Sequence, residues 1–91
     1  HMIKGKTKSG FVFEIDEEAK DDMELLEGLI QIDQGDLRSI PNVLVMLLGE
    51  EQKKALYEHC RTNGRVSSAK VMTALTEIFN ATKAEESDLK N

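Results

Sequence analysis

The sequence predicts a mainly α-helical domain opened by an N-terminal β-hairpin, an α+β arrangement dominated by helices. Three observations carry that prediction. Residues 3–15 alternate around a turn-forming Lys8-Ser9-Gly10; several later stretches repeat apolar residues at helical spacing; and Asp33-Gln34-Gly35-Asp36 and Asn63-Gly64 separate those stretches. The expected organisation is a single domain over 3–82, with the hairpin at 3–15 and about four short helices over 16–82, followed by a flexible polar tail at 83–91.

In the hairpin, Phe11, Phe13 and Ile15 alternate with Val12 and Glu14, and Ile3 to Thr7 supplies the other strand. Two strands alone are marginal in water, so the hairpin must lean on the helices or pair an edge with another subunit. The first reading makes it a lid on the core through Phe11, Phe13 and Ile15. In the second, Lys4, Lys6 and Lys8 guard the first-strand edge against indiscriminate pairing.

The next helix opens at Asp16, or at Asp21 with Glu24 in capping-box spacing. The carboxylates of Asp16, Glu17, Glu18, Asp21, Asp22 and Glu24 complement a positive helix start, and no histidine sits among them to suggest a metal. Met23, Leu25, Leu26, Leu29, Ile30 and Ile32 then make a broad apolar surface. Gly28 in their midst costs about 1 kcal/mol against alanine, which either close helix packing or simple tolerance would explain. Ser39 and Pro41 punctuate the following start, since first-turn amides lack intrahelical partners. From Val43 to Leu48 the chain is continuously apolar. Pro41 in front, Gly49 behind and the leucines favour a short buried helix over a strand; a helix apolar all round needs cover on every side, part of which another chain could provide.

Residues 51–60 read as a helix with Ala55, Leu56, His59 and Cys60 on one side and Glu50, Lys53, Lys54 and Glu58 facing outward. Asn63-Gly64 stops it, with Gly64 suited to the C′ position. Ser67 caps the last helix, with Val66 and Val71 at the two positions of a hydrophobic staple. Val71, Met72, Leu75, Ile78 and Phe79 form its apolar stripe, anchoring the local core.

Composition narrows the function. The chain has 91 residues, 12 Lys plus Arg against 17 Asp plus Glu, and a formal charge of −5. A domain this small gains from association, and an acidic balance without a basic run argues against a nucleic-acid partner. No stretch suits a bilayer or a secretory leader, and the lone Cys60 fits a reducing compartment, so a cytoplasmic protein is expected. His1-Met2 reads as a cloning remnant ahead of the natural start.

Chemistry is sparse. Setting Gly64 as the sixth residue of a calcium loop puts His59, Arg61 and Lys70 at the first, third and twelfth places, where oxygen ligands belong. His59 and Cys60 are neighbours on a helix and point about 100° apart, which is no nucleophile–base geometry. Neither a phosphate loop nor a zinc spacing is present, so no catalytic residue, cofactor or metal is expected. Tyr57 and Arg61, four apart, could stack as an exposed contact. Candidate self-association or partner contacts are therefore Met23, Leu26, Ile30, Val43, Met46, Leu47, Tyr57 and Arg61. Ser67, Gly64, Val66 and Val71 are structural.

The order of these segments carries a resemblance. A basic hairpin ending FEID, the acidic start DDMELLEGL, the break IDQGD, then LLGEEQKKALYEH and NGRVSSAKVMTALTEIF resemble the small tail assembly chaperones of long-tailed bacteriophages and of prophages in Gram-positive bacteria. The resemblance covers Ile3 to about Thr82. It implies a mostly helical, self-associating cytoplasmic helper that binds the tape measure protein, with the major tail protein as a further partner. Such a helper keeps its client from aggregating and assists tail tube polymerisation. It also implies a longer form made by translational frameshifting, and a polar 83–91 tail fits such a junction. It transfers no catalytic motif. Two rivals stand beside it: a generic phage or bacterial adaptor domain, and a helix-turn-helix regulator built on Asn63-Gly64, Arg65 and Ser67-Ser68, whose helix start has only Lys70 to offer phosphate.

Overall fold

A computed structural model describes the backbone of residues 1–90 and the side chains of residues 1–82. The chain is mainly helical with an N-terminal hairpin, as the sequence predicts. Strand β1 (Met2–Lys6) pairs antiparallel with β2 (Val12–Asp16), Ile3 opposite Ile15 and Gly5 opposite Phe13. Helix α1 (Met23–Asp33) follows a 3₁₀ turn at Glu17–Asp21, and α2 (Ile40–His59) follows another at Leu37–Ser39. A short second hairpin, β3 (Arg61–Thr62) and β4 (Arg65–Val66), leads into α3 (Ser68–Lys90). The flexible tail expected over 83–91 lies outside the fully described residues.

The first hairpin is a lid. Ile3, Phe11, Phe13 and Ile15 point inward and are nearly fully buried, joining Leu44, Leu47, Leu56 and Ile78 in one core. Gly5 makes room for the Phe13 ring, because a Cβ there would sit 2.5 Å from its Cζ. The tip is closed by Thr7, whose Oγ1 accepts the Phe11 amide at 3.0 Å while its carbonyl accepts the Gly10 amide at 3.0 Å. Gly10 takes φ +100, which suits glycine.

Both acidic helix starts are N-caps, with a shift from expectation. Asp16 caps the 3₁₀ turn through the Glu18 amide at 2.9 Å, and Asp22, not Asp21, caps α1 through the amides of Glu24 and Leu25 at 2.8 and 3.2 Å. The intervening 3₁₀ turn leaves Asp22 in extended backbone (φ −95, ψ 115), the conformation an N-cap needs. At the other end of α1, the Gly35 amide donates to Ile32 O and the Asp36 amide to Gln31 O, the two bonds of a Schellman motif around Gly35 at φ +94.

Gly28 is there for close packing. A Cβ at Gly28 would lie 2.5 Å from Val43 Cγ2, so α1 approaches α2 at a distance that only glycine permits. The run at 43–48 is helical, and its cover comes from within the chain: Val43, Leu44, Leu47 and Leu48 are all buried. Gly49 breaks helical geometry with φ 82 and ψ 164, so α2 is two helical pieces, 40–48 and 50–59, set at an angle. In the second piece Leu56 and Cys60 face the core, while Ala55 and His59 are exposed, a narrower stripe than expected.

Asn63-Gly64 does more than stop a helix. The helix is already closed at Cys60, whose amide donates to Leu56 O at 2.9 Å, so Gly64 is not its C′ residue. Asn63 (φ 54) and Gly64 (φ 82) instead form a two-residue turn with both central φ angles positive, as type I′ hairpins require. Ser67 caps α3, with the Lys70 amide donating to its Oγ at 3.2 Å, and Val66 and Val71 line the same crevice on either side of that cap.

Candidate interaction surface

The eight contact candidates divide by burial. Val43 and Leu47 lie in the interior, so neither can meet a partner; the expectation of a surface role failed because the chain folds its own elements over the 43–48 helix. Met46 is half-buried in the crevice between α1 and α2, beside Gly28. Tyr57 is half-buried too, with Lys53 Nζ 5.4 Å from its ring centroid. Arg61 does not stack on it. The helix ends before Arg61, whose guanidinium turns to Glu58 (2.6 Å) and to the Gly64 carbonyl (3.1 Å), fastening the small hairpin.

Met23, Leu26 and Ile30 remain together. They are 61%, 47% and 47% exposed and recur along one side of α1 at spacings of three and four, so they share a stripe. Leu25 and Gly28 are the buried residues of the same helix. Beside the stripe runs a groove of about 540 Å3 between α1 and α3. Leu26, Leu29 and Ile30 form one wall, Met72, Leu75 and Phe79 the other, and Asp33 stands at one end. The groove continues toward the start of α1, where Lys20 and Asp22 flank Leu25, Leu26 and Leu29.

The α3 wall was missing from the sequence-derived candidates. Its signal was present: Met72, Leu75 and Phe79 recur at i, i+3 and i+7, a stripe wide enough to serve the core on one flank and the groove on the other. Only the path of α3 past α1 tells which flank is which.

A second depression lies between the hairpin tip and the α2–α3 junction, lined by Lys8, Ser9, His59, Cys60, Lys70 and Glu77 among others. Its polar groups serve the fold. Glu77 accepts the Lys8 amide at 2.7 Å, tying α3 to the hairpin, and Lys70 donates to Thr62 Oγ1 at 3.0 Å. Ser9 Oγ and His59 Nε2 are 3.0 Å apart, a pairing across half the chain that no motif announces, and the His59 ring tilts against Phe11 at 5.6 Å. No described carboxylate orients the other nitrogen of His59. Cys60 is 2% exposed, and burial pushes its thiol pKa up, against a weaker opposing pull from Lys70. A thiol held protonated is a poor nucleophile.

Among the described residues no group of three His, Cys, Asp or Glu side chains could hold a metal, and no helix is long and apolar enough to cross a membrane. The link from α2 to α3, residues 60–67, is a β-hairpin, whereas a DNA-binding helix-turn-helix joins its helices by a three- or four-residue turn. Comparison with protein-family models, curated proteins and solved structures finds no match to this chain.

Proposed function

We propose that this chain is a tail assembly chaperone of the long-tailed phage type, which holds the tape measure protein in the host cytoplasm until the tail tube polymerises around it. The observation that supports this reading best is the α1–α3 groove. The hairpin, α2 and the inner faces of α1 and α3 already complete a core, yet Leu26 and Ile30 remain half exposed beside an apolar trough. A small acidic domain that leaves such a surface uncovered suits a protein that shields apolar segments of another chain and stays soluble while doing so. The order of segments along the chain supports the choice of client. Self-association and contact with the major tail protein belong to the same proposal.

Co-expression with a long-tailed phage tape measure protein from the same genome, followed by pull-down, tests the reading. The expected result is capture and a larger soluble fraction of the client. A folded protein that neither captures the tape measure protein nor raises its solubility overturns it.

A further inference from the structure

Resting on the reading of the α1–α3 groove as the client surface, we infer that its occupant is an amphipathic helix of a different polypeptide. That helix bears an apolar stripe flanked by Lys or Arg, and it is not a second copy of this chain. The shape is helical in scale. Leu26 and Ile30 stand one turn apart on α1, with Met72 across the trough on α3, so a helix laid between them would set apolar residues at i, i+3 and i+4 against both walls. The eleven residues of α1 span about 16 Å, room for roughly three turns.

Charge decides between occupants. Helix α1 carries Glu24, Glu27 and Asp33 and not one Lys or Arg. Asp33 lines one end of the groove and Asp22 lies by the other, while Glu27, one helical turn from Met23 and from Ile30, stands on the far side of that stripe and lines the crevice between α1 and α2. Glu24, Glu27 and Asp33 have no ion-pair partner among the described residues, as is true of most of the described carboxylates. Lys20 is the one described cation lining either stretch of the trough. A two-fold pair of this chain through this face would set two α1 helices that lack any Lys or Arg against each other, at a total charge of twice −5. Like charges facing across an interface work against association, and Lys or Arg flanks on a foreign helix reverse that sign.

The test uses the whole chain and two synthetic peptides of about four turns, identical in their leucine stripe. One has lysine flanks and the other glutamate flanks, and binding is followed by fluorescence anisotropy. The lysine peptide should bind at least about tenfold tighter, and more weakly as salt rises. Ile30→Asn, which leaves a polar side chain at an exposed site, should weaken it. The double swap Glu27→Lys with Asp33→Lys should reverse the preference, with circular dichroism confirming that each variant is folded. Equal binding of both peptides, binding of neither, or binding indifferent to Ile30→Asn overturns the inference. So does sedimentation in which Ile30→Asn dissolves a self-associated form. The two readings fail separately. Lysine-peptide binding without capture of the tape measure protein removes the chaperone reading alone; capture unaffected by the groove variants removes the groove inference alone.

Discussion

At the scale of single residues, Gly28 and Cys60 yield the sharpest expectations. The contact of Gly28 with Val43 means that Gly28→Ala must displace a packed β-branched side chain, at about 1–3 kcal/mol for overpacking. Alanine recovers roughly 1 kcal/mol of helix propensity, so a net loss of about 1 kcal/mol is expected by urea denaturation. The double variant with Val43→Ala should be less damaged than the sum of the singles, by about 0.5–3 kcal/mol, because the clash and the cavity cancel. Strict additivity would mean that the two do not meet. The sequence showed only that glycine was costly at 28; the reason is a neighbour fifteen positions away, which no local pattern encodes. Cys60 was legible as a small buried hydrophobe, and burial that raises its thiol pKa extends the point to reactivity. It should resist iodoacetamide in the native protein at neutral pH and react readily once urea unfolds the chain, as mass spectrometry would record. Equal labelling in both states would contradict its burial.

At the scale of elements, the break at Gly49 and the open edge of β2 are solved by one side chain. Gln52 accepts the Glu14 amide through Oε1 at 2.7 Å and donates Nε2 to the Glu14 carbonyl at 2.7 Å, so its amide acts as one rung of a third strand. The same Nε2 donates to Leu48 O, just ahead of the Gly49 break, at 2.7 Å. Gln52→Ala should therefore destabilise the fold by about 1–2 kcal/mol, since water can reach part of what is lost. Gln52→Glu should be worse at neutral pH, because a carboxylate can donate to neither carbonyl, and the gap between the two variants should narrow in acid as that carboxylate protonates. Thermal melts at the two pH values decide it; equal loss in both variants at neutral pH would show that the donor is unimportant. The small hairpin carries a parallel expectation. Gly64→Ala places a Cβ at φ +82 and should cost about 1–2 kcal/mol. The first hairpin, the Ser67 start and the helical 43–48 run were readable because alternation, capping and punctuation are local. Asn63-Gly64 was misplaced at a helix end because the flanking strands are two residues each, too short to alternate visibly, although the dipeptide is itself a strong hairpin signal.

For the molecule as a whole, half of the groove was legible. Met23, Leu26 and Ile30 exceed what one core-facing stripe of α1 needs, and that excess shows in the sequence. That Val43 and Leu47 would be covered from within could not be read there, because cover depends on how the hairpin and the two pieces of α2 fold over one another. Acid sensitivity is likewise a property of the assembled chain. Asp36 is held below the usual carboxylate range by its hydrogen bonds to the Arg38 side chain and amide, and Glu58 by those to the Arg61 guanidinium. Asp36 lies in the connection between α1 and α2, and Glu58, in the last turn of α2, pairs with Arg61 of the β3–β4 hairpin; the unfolded chain forms neither arrangement. A carboxyl whose folded pKa is depressed stabilises the fold fully above its unfolded pKa, and that contribution disappears as pH falls through the folded value. Stability should therefore decline from the ordinary carboxylate range downward. The double variant Asp36→Asn with Glu58→Gln should be less stable than the parent at neutral pH and shallower in its decline, with the two curves converging in strong acid. Both pairs are solvent-exposed, so the separation at neutral pH should be small and should shrink further in high salt. Urea midpoints across the acid range measure it; parallel curves at all pH values would mean that neither pair contributes to folding.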